Sequence, residues 1–163
     1  MNDPKPFEAS VAIIRLSCTG LAAKDQWMSE EASSDPWLKF FVASSEQAAA
    51  AVSDGNESFS GQGLVEMFRT EVIPKNLNPQ FGTIVVDLGK LKKTIGDNTV
   101  VVGAFDYDWT SQSDLIGVTK DVVLTEASDA TYDFTKRGVG AGAVRVTVEL
   151  AWAGHRRTHQ GFE

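Results

Sequence analysis

The sequence has little cysteine and no long apolar run, and each shortage excludes a class of protein. Its single cysteine, Cys18, has no second cysteine to pair with, so an internal disulfide is excluded and a reducing, cytoplasmic setting is expected. No stretch reaches the roughly 18 apolar residues of a membrane-spanning helix. The opening residues, MNDPKPFEAS, lack the basic and apolar parts of a secretion signal, which agrees with that expectation.

Positive charge is also in short supply. The 22 aspartates and glutamates outnumber the 15 lysines and arginines, and the formal net charge is −7. This balance argues against nucleic acid as a partner and against constitutive attraction to an anionic membrane. A membrane partner would require the negative charge to be cancelled locally.

A catalytic site is not expected. The two histidines, His155 and His159, lie in a polar stretch near the end of the sequence, and Cys18 falls on the apolar face of a predicted strand. Paired carboxylates can perform acid and base chemistry, as in glycosidases, but no nucleophile and base combination accompanies them here. We therefore predict that the chain is not an enzyme.

Alternation of apolar and polar residues predicts short strands along most of the chain. The 163 residues suit one domain, expected at 10–152, with a flexible lead at 1–9 and a polar tail at 153–163. Seven or eight strands separated by turn residues indicate an all-β fold, an antiparallel β-sandwich. The predicted strands are 11–18, 38–42, 64–73, 84–88, 99–105, 115–118, 122–124 and 144–150.

Three carboxylates gather after the most apolar of these strands. The segment 105–114 reads FDYDWTSQSD and contains Asp106, Asp108 and Asp114. Carboxylates this close repel one another, so a bound cation is the simplest reason to gather them. Oxygen donors without histidine or cysteine favour calcium, which takes about six to eight oxygens. The alternative is a solvated turn rich in Asp and Ser, the ordinary meaning of an isolated D-x-D pattern.

Three segments, in order, resemble one family. The sequence SDPWLK at 34–39 resembles the SDPY-type signature of C2 domains, and KNLNPQF at 75–81 resembles their KNLNPxW/F turn. The sequence FDYDWTSQSDLIG at 105–117 resembles their D-x-D-x-x-S-x-x-D-x-IG loop. The resemblance covers about residues 10–150, and the wording SDPWLKFF and FRTEVIPKNLNP is particularly similar to the C2 domains of copines.

The resemblance implies an eight-stranded antiparallel β-sandwich of the permuted, type II topology, with loops at one end that bind two or three calcium ions. Ser111 and the main-chain oxygens near Lys24 and Tyr107 would be additional ligands. The family's five metal-binding aspartates fall on Asp25, Asp35, Asp106, Asp108 and Asp114.

The spacing in the first loop departs from the family pattern. Asp25 and Asp35 are ten residues apart, whereas the family usually has about six. An insertion at 29–33 would explain the difference, and it leaves Glu30 or Glu31 as a substitute for Asp25 or an addition to it.

Together these features predict a charge switch. Clustered carboxylates repel anionic phospholipid, and bound calcium would cancel their charge, placing a cytoplasmic protein peripherally on the membrane when calcium is high. Trp27, Met28 and Trp109 fall beside the proposed ligands and would enter the membrane interface, core packing being the alternative. The segment 64–73 reads LVEMFRTEVI, whose acids balance its single arginine, so no phosphoinositide patch is predicted. The second hypothesis is a calcium-independent module that binds protein partners.

Overall fold

The computed structural model describes residues 9–22, 34–44, 63–108, 110 and 113–152. Predictions that fall on the remaining residues lie outside this description. Within the described residues the chain forms eight strands and one helix, in the following order. They are β1 (Val11–Thr19), β2 (Pro36–Ala43), β3 (Leu64–Arg69), β4 (Ile84–Asp87), α1 (Leu88–Ile95), β5 (Thr99–Asp106), β6 (Asp114–Val118), β7 (Ser128–Lys136) and β8 (Val139–Ala151).

The strands form one curled antiparallel sheet in the order β3-β2-β5-β6-β7-β8-β1-β4. Strands β6 and β7 pair at one position, Val118 with Thr135, whereas β1 and β8 pair along the whole of β1. The sheet therefore divides into a first half, β3-β2-β5-β6, and a second half, β7-β8-β1-β4, which pack face to face. The predicted eight-stranded antiparallel β-sandwich is confirmed, and the type II permutation stays a prediction.

The main core lies between the two halves. Alternate residues of β1, among them Ile14 and Leu16, are buried as predicted, and they share one apolar cluster with Leu38 and Phe40 of β2. Because strand side chains alternate between faces, one register places all the inward residues of a strand in this core. The packing of the two halves thus depends on the clean alternation visible in the sequence.

A second apolar cluster lies on the outer face of the first half. The rings of Trp37 and Phe105 stack there with centroids 5.0 Å apart, and Phe41 belongs to the same cluster. Strand β5 is buried on both faces, as its continuous apolar run predicts. Strand β2 is also buried along its whole length, although its sequence predicts only one inward face.

Helix α1 was not predicted, because Leu88 continues the alternation of Ile84 and Val86 and extends the predicted strand too far. The strand ends at Asp87, whose side chain accepts a 2.8 Å hydrogen bond from the backbone N–H of Lys90 and caps the helix. Leu88, at the first position of the helix, is buried against the core. Within the described residues, no helix has both the length and the apolar character needed to cross a membrane.

Three other parts of the structure differ from the predicted strands. Strand β7 was missed because its sequence, SDATYDFTK, is mostly polar and buries only Phe134 completely. The predicted strand at 122–124 is irregular backbone, although Val122 and Leu124 are buried. Strand β3 ends at Arg69 rather than at residue 73. For Val122 and Leu124, the apolar pattern predicted burial correctly but did not determine the backbone conformation.

Candidate metal centre

Three of the predicted aspartates meet at one end of the first half. Asp35 directly precedes β2, Asp106 ends β5 and Asp114 begins β6. Strands β2 and β5 are antiparallel, as are β5 and β6, so these three positions share one edge of the sheet. Asp106 lies opposite Pro36 on one side and opposite Asp114 on the other.

Asp106 and Asp114 project from the same face of the sheet, because directly opposed residues of antiparallel strands do so. Like charges in this arrangement destabilise a sheet. Asp106 is only 5% exposed, and burial of a carboxylate is costly unless hydrogen bonds or an opposite charge compensate. Asp114 is exposed. The two carboxylates therefore repel each other, and the charge of Asp106 is buried as well. A bound cation would offset both the repulsion and the cost of burying that charge.

Asp35 is tied to the end of β5 by two hydrogen bonds. Its backbone N–H donates to Oδ1 of Asp106 at 2.8 Å, and its carbonyl accepts from the backbone N–H of Tyr107 at 2.9 Å. Because the two bonds run in opposite directions, they fix both the distance and the orientation between the two segments. Asp35, before β2, and Asp106, at the end of β5, are thus held together.

A turn from a third part of the chain orients the Asp35 side chain. The backbone N–H of Lys75 donates to Oδ1 of Asp35 at 2.8 Å. Lys75 has φ of 51°, a left-handed conformation that is unusual for lysine. Hydrogen bonds from Ile73 to the carbonyl of Pro36 and from Asn76 to the carbonyl of Ser34, both 3.0 Å, hold the turn in place. Sequence reasoning identified a turn here but not its contact with Asp35.

Ser113 and Trp37 anchor the far end of the segment between β5 and β6. The indole N–H of Trp37 donates to Oγ of Ser113 at 3.2 Å, and both residues are buried. Ser113 directly precedes Asp114, and the ring stacked on Trp37 belongs to Phe105, which directly precedes Asp106. The outer apolar cluster thereby supports both opposed aspartates.

Asp108 is engaged in a local turn. Its Oδ1 accepts hydrogen bonds of 2.9 Å from both the backbone N–H and the hydroxyl of Thr110. Asp108 is exposed. Within the part of the chain that the structure describes, no group of three or more acidic, histidine or cysteine side chains is arranged to hold a metal ion.

Other predicted site residues lie outside the described residues, and their roles stay predictions. Among the described residues, Tyr107 is 36% exposed, and its backbone contacts Asp35 as stated above. The predicted ligands outside the description are Asp25, Ser111 and Lys24, with Glu30 or Glu31 as substitutes, and the predicted membrane-inserting residues are Trp27, Met28 and Trp109.

The chemistry of the described donors fits a hard divalent cation. Asp35, Asp106 and Asp114 offer only carboxylate oxygens, which suit calcium or magnesium and not a thiolate-binding or imidazole-binding metal. Oδ1 of Asp35 and Oδ1 of Asp106 each accept a backbone N–H. Such outer hydrogen bonds commonly orient metal-binding carboxylates. Calcium takes about six to eight oxygens, so further donors would be needed to complete its coordination.

Comparison with known proteins identifies the fold. No protein-family model matches the sequence. The first C2 domain of plant Extended Synaptotagmin 1 has a TM-score of 0.55 at 15% identity, over 88% of this chain and 95% of that one. A chain described as BON1-C2B has a TM-score of 0.51 at 16% identity, over 88% and 92%. The calcium-bound pair of C2 domains of Extended-Synaptotagmin 2 gives 0.53 at 16%, over 90% and 47%. The protein thus has a C2-like β-sandwich fold.

Proposed function

We propose that this C2-like chain is a peripheral membrane-binding module that attaches to anionic phospholipid when calcium occupies the acidic edge of its first half-sheet. The contact between Asp35 and Asp106 carries the proposal, because it brings acids from distant parts of the chain to one edge. The fold supports it, since a structurally similar protein, Extended-Synaptotagmin 2, has been solved with calcium bound. The protein would be cytoplasmic and would reach the membrane when calcium is high.

The proposed ligand set combines described and undescribed residues. Calcium, once bound, supplies positive charge that offsets the carboxylates and offers coordination positions to lipid phosphate. Two or three ions would be held, and Trp27, Met28 and Trp109 would enter the interface. The proposed ligands are Asp25, Asp35, Asp106, Asp108, Asp114 and Ser111, with main-chain oxygens near Lys24 and Tyr107.

The residues of the chain itself prepare the edge. The N–H groups of Lys75 and Asp35 each bind one oxygen of an aspartate, which orients the carboxylates before any ion arrives. Without an ion, the edge adds to a net charge of −7 and repels an anionic surface. Calcium dependence would then follow from the sign of the local charge.

Vesicle co-sedimentation tests the proposal. We expect the protein to pellet with phosphatidylcholine–phosphatidylserine vesicles in calcium, and to remain in the supernatant in EDTA or with phosphatidylcholine alone. Asp106→Asn should abolish this binding. Asp97→Asn removes the same charge at the opposite end of β5, in the turn before Thr99, and should retain it. Calcium-dependent pelleting of the Asp106→Asn protein would show that the site is wrongly assigned.

A calcium-independent protein-binding module is the second candidate. It is favoured by the absence of a three-acid metal group among the described residues and by the engagement of Asp108 with Thr110. A ligand that binds only the native state raises the melting temperature by mass action. No rise at millimolar calcium would support this second function. In either case we propose that the chain is not catalytic, and the copine-like resemblance stays a prediction.

A further inference from the structure

A cavity of about 370 Å³ opens on the outer face of the second half of the sheet. Its lining has two positive charges and no acidic residue, in a chain whose net charge is −7. Every polar side chain in the lining can donate a hydrogen bond. These side chains are Arg15, Ser17, Gln80, Thr83, Arg145 and Thr147.

The two arginines occupy diagonal positions on neighbouring strands. Arg15 of β1 lies opposite Thr147 of β8, and Ser17 lies opposite Arg145. Diagonal residues of this kind lie about 7–8 Å apart, within reach of two long side chains that bind one ligand. An anion between the two guanidinium groups could accept hydrogen bonds from both.

A short segment after the Lys75 turn forms one wall of the cavity. Gln80 forms an isolated β-bridge with Ser17. The N–H of Phe81 donates to the carbonyl of Leu16 at 3.0 Å, and the N–H of Cys18 donates to the carbonyl of Pro79 at 2.9 Å. These backbone bonds hold Gln80 beside β1. The wall is therefore a fixed part of the fold and gives the face its depth.

Carboxylates outside the lining orient both guanidinium groups. Asp129 accepts from Nε of Arg145 at 2.8 Å and from Nη2 at 2.6 Å, which leaves Nη1 outside this pair. The hydrogen bond from Arg145 lowers the pKa of Asp129, so the pair stays charged at neutral pH. Arg15 makes a single 3.3 Å contact with Glu149, and both side chains are mostly exposed. Exposed pairs are weak, so Arg15 can exchange this contact for a ligand.

We propose that this cavity binds the phosphate of a phosphomonoester independently of calcium. Guanidinium groups match phosphate oxygens with paired N–H donors, and the hydroxyl groups of Ser17 and Thr147 supply further donors to the same anion. The cavity volume leaves room for part of the group that carries the phosphate. The ligand is either a small soluble phosphomonoester or a phosphomonoester lipid headgroup, and the chemistry of recognition is the same for both.

NMR of the arginine side chains tests the proposal. In EDTA, addition of phenyl phosphate should shift the Nε–Hε NMR signals of Arg15 and Arg145 saturably, with a Kd of about 1 mM or tighter. Arg15→Gln removes an exposed ion pair with Glu149, so it should weaken binding about tenfold and leave the melting temperature unchanged. Arg15→Gln/Arg145→Gln should abolish binding. Lys92→Gln/Lys93→Gln makes the same charge change on α1 and should bind as the wild type does.

Vesicles distinguish the two sources of the phosphate. Binding in EDTA to phosphatidic acid vesicles, lost in Arg15→Gln, would support a lipid headgroup. Binding of phenyl phosphate without binding to these vesicles would support a soluble ligand. The absence of saturable shifts, or equal weakening in Arg15→Gln/Arg145→Gln and Lys92→Gln/Lys93→Gln, would overturn the proposal. Because EDTA is present throughout, the outcome does not depend on the calcium site.

Discussion

The backbone N–H of Asp35 donates a 2.8 Å hydrogen bond to Oδ1 of Asp106, a residue 71 positions later in the chain. The bond makes the amide of one proposed ligand the support for the carboxylate of another. A change at either residue therefore alters two things, the charge at the edge of the sheet and the attachment of β2 to β5. These effects are separable by choosing side chains that keep or remove the acceptor oxygen.

Substitutions of Asp106 should separate charge from attachment. Asp106→Asn keeps an acceptor for Asp35 and removes repulsion with Asp114, so stability in EDTA should be unchanged or slightly higher. Asp106→Ala leaves a partly buried N–H without its acceptor and should lose about 1–3 kcal/mol of unfolding free energy. Urea denaturation in EDTA measures both. Equal losses in the two variants would show that the hydrogen bond is not what holds these segments.

The conformation of Lys75 should affect calcium affinity. Lys75→Val places a β-branched residue at a φ of 51°, which should strain the turn by about 1–3 kcal/mol and displace the N–H that orients Asp35. Arg137→Val is the control, because Arg137 has φ of 52° in the turn between β7 and β8. Both variants should lose stability, but only Lys75→Val should weaken calcium binding in calorimetry. Equal calcium affinities would mean that the Lys75 turn is merely structural.

The thiol of Cys18 should be inert in the native protein. Cys18 is 1% exposed, and burial raises its pKa from 9.0 to about 12. The thiolate is the reactive form, so at pH 8 modification by a disulfide reagent should proceed only as fast as the protein unfolds. The unfolded chain ionises nearer pH 9, so the contribution of Cys18 to stability is present below pH 9 and lost between pH 9 and 12. Rapid labelling of the native protein would contradict the burial.

Glu66 should stabilise the first half-sheet in a pH-dependent manner. Hydrogen bonds of 2.7 and 2.9 Å from Arg69 lower its pKa below 4.5, and Nζ of the buried Lys39 lies 3.5 Å away. A lowered pKa means that the stabilisation is present above pH 4.5 and lost as pH falls through the folded pKa. Glu66→Gln should therefore lower the melting temperature at pH 7, and the difference from the wild type should shrink as the pH falls below 4.5. Glu149→Gln, an exposed partner of Arg15, should change it little at either pH.

The alternation of apolar and polar residues predicted much of the fold, because one face of most strands lies against a single core. Strand β1 follows this pattern closely, with Ile14 and Leu16 buried and Arg15 exposed. Strand β7 escaped prediction because it carries many polar residues and buries only Phe134 completely, so that its conformation depends on pairing with its neighbours. Helix α1 was missed because Leu88 continues the alternation of the preceding strand.

The candidate site was predicted in part. Spacing and resemblance identified Asp35 and Asp106, and the strand register brings them together. The role of Lys75 had no signal in the sequence, since lysine does not ordinarily mark a left-handed residue and its contact with Asp35 spans 40 positions. Such a contact depends on where three separate segments meet.

The short pairing between β6 and β7 should make this side of the sandwich the first to open. Strands β6 and β7 pair at one position, Val118 with Thr135, and the adjacent Phe134 is fully buried in the core between the two halves. Slow opening should therefore begin here, and in hydrogen exchange the amide of Val118, which faces β7, should lose protection before those of β1. The two halves of the sheet would then separate transiently between β6 and β7 while remaining paired along β8 and β1.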